Sequence, residues 1–346
     1  MMLPHSSTDQ RNLGIDVLRL LAIYAIIAQH SSGGFLVYNA FNNGLEWWIQ
    51  GIIYGGLFKW ASAIFVMISG AYMLEEKRSE NIYFFLKKRF KRVIIPFLVW
   101  VIIYKIIAEP SILFHINFST LKTYVIDIIS GNVEYHLWFI YMLSVLYLIT
   151  PLLSVFVNKA SKNVIYYMLG VWVLFNFIPD FLGGVLGINF GANYYLEFNK
   201  FSGFYILGFV LRDFKIKKPY LLIIPYLLFS AVNIFGTYYL SVYKGSNDYF
   251  FLERFNITNI ANTILIFVLV NSVSWSKYAP KHGRFSNWIT KISLISYGIF
   301  LNHVLILHFL RSGKYGFKII AYEMLGEAIN PAYGIPIVLI ITIIYF

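Results

Sequence analysis

The strongest constraint on this chain is that apolar runs, several long enough to cross a bilayer, recur along its 346 residues. They fall at about 14–35, 52–74, 93–109, 137–157, 164–178, 201–212, 219–240, 257–275, 292–310 and 330–346. Hydrocarbon offers no water to a backbone N–H or C=O, so each run is expected to satisfy its own groups as a helix. Several are shorter than the usual ~20 residues, and the shortest, 201–212, carries Gly203 and Gly208, which suggest tight packing or a break. Composition agrees: 59% of residues are hydrophobic and 13% charged, against about a quarter charged in soluble domains. The expected fold is all-α, a polytopic membrane bundle of about ten transmembrane helices. No polar stretch is long enough for a separate soluble domain, so residues 1–346 are read as one transmembrane domain.

The loops set the orientation. With the N-terminus cytoplasmic, the inner segments hold eighteen Lys and Arg and the outer segments six. That is a positive-inside bias, and it explains the net charge of +12 without a nucleic-acid partner. The first run does not read as a signal peptide. It is too long for an h-region, is interrupted by Asp16 and Arg19, and is not closely followed by a small-residue cleavage site. Absence of cysteine removes disulfides, thiolate metal sites and any cysteine acyl-enzyme.

Within that first run, Asp16, Arg19 and His30 stand in otherwise apolar sequence. Ionisable groups in a bilayer are costly and usually face the bundle interior or a cavity. At 100° per residue, Arg19 and His30 lie about 20° apart in projection, and Asp16 within roughly 60° of both. At 1.5 Å per residue, Arg19 lies roughly 7 Å and His30 roughly 24 Å from the Gly14 end. A cation near the inner surface and a titratable base near the outer one suggest a site that crosses the membrane. The alternative is a polar stripe that joins helices by hydrogen bonds.

Other features are weaker singly. Trp47 and Trp48 in the first outer loop suit an interfacial anchor, and Lys59 near the outer surface suits a snorkelling side chain. Ser69 and Gly70 allow close helix approach. Residues 85–96, F-L-K-K-R-F-K-R-V-I-I-P, form the most basic inner loop. Its charges suit anionic lipid, and Arg89 and Arg92, one turn apart before Pro96, could clamp a phosphate. Lys105 is expected to snorkel outward, and His136 and Trp138 mark the outer end of the fourth run. Aromatics beside carboxylates in the loop 241–256 suit sugar stacking or an interface belt alike. Ser296 and His303, seven apart, share a face, whereas His303 and His308, five apart, do not, which disfavours a two-histidine metal face. No nucleophile elbow, P-loop, dinucleotide fingerprint or H-E-x-x-H is present, and no metal is expected.

Taken together, several stretches resemble the acyltransferase-3 family of integral-membrane acyltransferases. They are I-D-V-L-R-L-L-A with the R-x10-H spacing of Arg19 and His30; I-F-V-M-I-S-G-A-Y-M-L; K-K-R-F-K-R-V-I-I-P; H-L-W-F-I-Y; F-Y-I-L-G-F-V-L-R; and I-S-L-I-S-Y-G-I-F-L-N-H. The resemblance covers most of the chain. It implies a single-domain enzyme of a bacterial cytoplasmic membrane that moves an acyl group, usually acetyl, from acyl-CoA to a hydroxyl of a surface glycan or its lipid-linked precursor. It implies His30 as catalytic base, Arg19 as its motif partner, and Arg89 and Arg92 at the acyl-CoA entrance. Asp16 joins the catalytic set through its shared face. His136, Trp138, Ser296, Tyr297 and His303 match later motifs and are expected to line the site. The family often has Tyr where this chain has Phe300. The expected partners are acyl-CoA, the glycan acceptor and membrane lipid; a homo-oligomer stays open. The rival reading is a proton-coupled transporter or flippase with Asp16, Arg19 and His30 as a relay.

Overall fold

The computed structural model describes residues 12–33, 36, 45–110, 117–178, 182–183, 197–278, 283–312 and 340. The described residues contain helices, turns and bends and no strand. Six stretches are long and apolar enough to cross a membrane: Leu13–Ser32, Trp48–Met73, Trp138–Lys159, Pro219–Lys244, Phe250–Ser272 and Arg284–Phe309. This is a multi-pass membrane protein. The expected spans at 93–109, 164–178 and 201–212 are helical but shorter, and the one at 330–346 falls outside the described residues apart from 340.

The central helix is α1, Leu13–Ser32, which starts where the Asn12 side chain accepts the Gly14 N–H at 2.9 Å. It packs against α2 (Leu45–Phe58), α3 (Ala61–Met73), α12 (Ile257–Ser272) and α14 (Arg284–Ser312). The second expected span, 52–74, is two helices rather than one. The chain turns at Lys59 and Trp60 between α2 and α3. The carbonyls freed there are taken up by side chains: Gln29 and Tyr226, distant in sequence, donate to Phe58 at 2.6 Å and to Leu57 at 2.8 Å, and the local Trp60 donates to Leu57 at 2.6 Å. Broken helices persist in membranes only where such partners exist. Lys59, expected near the outer surface, sits at this break, beside the Phe58 carbonyl that Gln29, next to His30 on α1, holds. Trp48, expected as an interfacial anchor, is buried on α2 against Tyr238.

After α4 (Glu76–Ser79), the basic segment expected as a loop is helical throughout: α5 (Ile82–Arg89), a wide π turn (Phe90–Ile94) and α6 (Ile95–Ala108). Pro96 accounts for the π turn. A proline has no N–H and its ring collides with the carbonyl four residues back. The helix widens instead, and Ile95 N–H bonds to the Phe90 carbonyl, five residues back. The next helix, α7 (Phe118–Ser130), buries none of its residues and is tied to α6 by Lys105 Nζ on Asp127 Oδ2 at 2.6 Å. That bond holds the Asp127 carboxyl below its ordinary range and carries the Lys105 ammonium to a helix that buries none of its residues.

The rest of the bundle is α8 (Trp138–Lys159), α9 (Lys162–Asn176), α10 (Glu197–Leu211), α11 (Ile223–Lys244), α12, the short α13 (Trp275–Tyr278) and α14. The tightest crossing joins α3 to α10. A methyl group on Gly70 would collide with the Tyr205 carbonyl, and one on Gly208 with the Met67 carbonyl. Small residues therefore let the two backbones touch.

Candidate active site

Three histidines from three parts of the chain meet at one end of the bundle. His30 is near the C-terminal end of α1, His136 lies in the turn before α8, and His303 is on the C-terminal half of α14. His30 Nδ1 and His303 Nε2 are 2.7 Å apart, and the two rings meet edge to edge, their centroids 5.0 Å apart and their planes within 12°. The His136 ring stands 5.1 Å from that of His303 and 6.3 Å from that of His30. The protons can be assigned from the partners. His303 Nδ1 lies 2.6 Å from the Phe300 carbonyl, which can only accept, so Nδ1 carries a proton. In the neutral pair His303 Nε2 is then the acceptor and His30 Nδ1 the donor. The basic lone pair of His30 is left on Nε2, as the orienting partner of a triad histidine arranges it. The two bonded nitrogens point at each other rather than at a common ion.

His136 and His303 are buried, and His30 is half-buried beneath the exposed Tyr135, whose ring is 5.1 Å away. Neither nitrogen of His136 has a well-formed hydrogen bond. The nearby Leu301 carbonyl is taken by Tyr104 Oη at 2.8 Å, and Tyr104 Oη in turn accepts the Leu305 N–H at 3.1 Å. Tyr104 thus fastens α6 to α14 beside the histidines. It was not among the sequence candidates, because an aromatic in an apolar run looks like any core residue.

Asp16 and Arg19 lie at the other end of the same face. Asp16 is buried and accepts from Ser293 Oγ at 2.6 Å and Thr290 Oγ1 at 3.5 Å. Arg19 Nη1 reaches Asp16 Oδ1 at 3.5 Å and Ser293 Oγ at 3.4 Å. At 1.5 Å per residue Asp16 is roughly 21 Å along the axis from His30. Asp16 therefore anchors α14 and orients Arg19; it does not touch His30. Between Arg19 and His30 the same face carries Ile23 and Ile26, both buried.

Arg19 opens on a cavity of about 260 Å³ that Arg92, Ser293, Ser296 and Tyr297 also line. Four of the sequence candidates, Arg19, Arg92, Ser296 and Tyr297, thus line one cavity, and His303 stands one turn beyond its end on α14. Arg89 does not share this cavity. It lines an adjoining one of about 220 Å³ with Tyr147, which borders both. Its guanidinium lies over the Phe85 and Tyr147 rings at 5.5 and 5.8 Å. This region is electropositive: partial burial and then the charges of Arg92, Arg89 and Arg78 pull the Lys88 ammonium below its ordinary range. Tyr297 Oη donates to the Val93 carbonyl of the π turn at 2.8 Å and Ser296 Oγ to the Ser293 carbonyl at 2.8 Å, so both hydroxyl protons are committed. Trp138 stands apart from the histidines, under the Arg254 guanidinium at 4.2 Å and against Phe201.

A family model described as an acyltransferase domain, that of the acyltransferase-3 family, matches residues 12–345. The chain belongs to the acyltransferase-3 family. The match covers α1 to α14 and so includes every candidate described above. No match was found among curated proteins or among solved structures. As an acyltransferase-3 protein the chain is a membrane acyltransferase, and its histidine group and basic cavity are the places to look for the chemistry.

Proposed function

We propose that the protein transfers an acyl group, acetyl above all, from cytoplasmic acyl-CoA to a hydroxyl of a cell-surface glycan or its lipid-linked precursor. The observation that carries this reading is the His30–His303 pair standing at one end of an α1–α14 face whose other end holds Arg19 and the arginine-lined cavity. A phosphate-bearing donor suits the arginine end, and a hydroxyl that must lose a proton suits the histidine end.

In this reading the chain crosses a bacterial cytoplasmic membrane ten times with its N-terminus inside. Arg92, Arg19 and Arg89 hold the CoA phosphates, and pantetheine threads outward from them. The acceptor oxygen attacks the thioester carbonyl while His30 Nε2 takes the hydroxyl proton. His303 accepts from His30 Nδ1–H and supports the imidazolium that forms. Collapse of the tetrahedral intermediate breaks the carbon–sulfur bond, and the proton leaves with the CoA thiolate. His136, with unfilled ring nitrogens, is the group best suited to donate to the oxyanion; Tyr297, committed to Val93, is not. A proton relay from Asp16 to His30 would need polar groups where Ile23 and Ile26 stand, which weighs against transport.

The test is incubation of the purified protein with labelled acetyl-CoA and envelope glycan. Label should move to the glycan as a base-labile ester. Folded protein that moves no label would overturn the proposal.

A further inference from the structure

The arginine-lined cavity stops one turn short of the histidines, and it stops at the same residue type on three helices. On α14 it runs from Ser293 to Phe300, with His303 on the next turn. On α8 it runs from Tyr147 to Phe139, with His136 three positions beyond. On α3 it runs from Ser69 to Phe65. The three terminal rings touch in series: Phe65 to Phe139 at 6.3 Å and Phe139 to Phe300 at 5.5 Å. Phe300 also meets the histidines from beneath, with His136 at 5.6 Å and His303 at 5.8 Å. Phe139 and Phe300 are 6% and 5% exposed. A wall of aromatic rings therefore stands between the arginine-lined cavity and the histidines.

We propose that this wall, Phe300 backed by Phe139 and Phe65, is the acyl-length gauge of the enzyme, admitting an acetyl group to His30 and refusing chains two or more carbons longer. The proposal rests on the acyl-CoA reading above. A donor held by its phosphates has a fixed reach, so its thioester carbon arrives at one depth, against the rings. There the acyl carbon must bond to the acceptor oxygen and part from sulfur, with the hydroxyl proton passing to the CoA thiolate. Two carbons can slip past a ring edge. Each further methylene needs room that a packed aromatic wall does not have, because interiors have few voids and resist added volume. A hydrophobic site of this kind distinguishes one methylene by about 10–200-fold.

The experiment uses inside-out membrane vesicles from cells that make the full chain, with native glycan in the lumen. Acetyl-, butyryl- and hexanoyl-CoA, labelled in the acyl group, are supplied outside, and label in the glycan is counted. The wild type should prefer acetyl over butyryl by at least roughly 10-fold. Phe300→Ala and Phe139→Ala should each raise the butyryl-to-acetyl ratio by roughly 10-fold or more, and Phe300→Leu should raise it less. The ratio is read within one preparation, so a loss of folded protein does not alter it. Wild-type vesicles that use butyryl as well as acetyl, or variants whose ratio stays at the wild-type value, would overturn the gauge alone. Wild-type vesicles that transfer no acyl group from any CoA would overturn the acyl-CoA reading and the gauge with it.

Discussion

Fourteen positions separate Asp16 from His30 on one face of α1, and the two residues have different partners. Asp16 is used up by Ser293, Thr290 and Arg19, whereas His30 is bonded through Nδ1 to His303, which fixes its tautomer. Substitutions at the two sites should therefore fail differently. His30→Ala should lose acyl transfer by about 10²–10⁴-fold, the usual worth of a general base. His30→Gln, which keeps hydrogen bonding but takes no proton, should be nearly as inactive. Acyl-CoA binding, measured by equilibrium dialysis, should survive in both, because the arginines lie elsewhere. A folded His30→Gln protein with near-native turnover would end the assignment. His303→Leu removes the acceptor that orients His30, and its turnover should drop by up to about 10⁴-fold, as in triads robbed of their orienting group. Asp16→Ala should instead lower the thermal midpoint and weaken acyl-CoA binding together, since it releases α14 and Arg19 at once.

Two elements carry most of the mechanical load: the α3–α10 crossing and the π turn before α6. Gly70→Val places two methyl groups against the Tyr205 backbone, which cannot yield as a side-chain tip would. A loss of about 1–3 kcal/mol or more is expected from such overpacking, read as a lower unfolding temperature in detergent. At the π turn, Pro96→Ala restores the missing N–H and removes the ring clash, so an ordinary α turn becomes possible. That would rotate Arg92 away from the cavity it shares with Arg19. Acyl-CoA should then bind more weakly, as it should in Arg92→Ala, where a lost charged contact costs about 1.5–3 kcal/mol. Unchanged affinity in both would make the basic segment a topology signal only. Much of this was legible in sequence, and the rest was hidden for physical reasons. The projection of Arg19 and His30, about 20° apart at 100° per residue, gave the face, and Gly70 and Gly208 announced close approach. The break at Lys59–Trp60 was hidden because no proline or glycine marks it; its carbonyls are satisfied from Gln29 and Tyr226, far away in sequence. Pro96 was read as the end of a loop, although the helix absorbs it by widening. Tyr104 carries no signature at all, and Phe65 and Phe139 sit inside quoted motifs without standing out from them, since their roles come from which helices meet.

For the molecule as a whole, the sidedness of the site depends on one topology. His30 is at the C-terminal end of α1, His136 precedes α8, and His303 is toward the C-terminal end of α14. These can meet only if α1 and α14 run one way through the membrane and α8 the other, as the charge bias of the loops requires. The same geometry brings Arg19, Arg92 and Ser293 together at the opposite end. The absence of cysteine makes the topology easy to read with single replacements. Ser79 is a poor reporter because it is buried; Asn163 and Ser246 are exposed. An impermeant maleimide applied to intact cells should label Ser246→Cys and leave Asn163→Cys untouched until the membrane is opened. If both replacements react from outside, or only Asn163→Cys does, the inner and outer ends are misassigned. With the ends fixed, the donor must come from one side and the acceptor from the other. Acyl-CoA given to inside-out vesicles should label luminal glycan, and the same acyl-CoA given to right-side-out vesicles should not. Equal labelling from both faces would mean that the arginine end is not the donor's door, and the transfer would then have to be rebuilt around a donor that reaches His30 from outside.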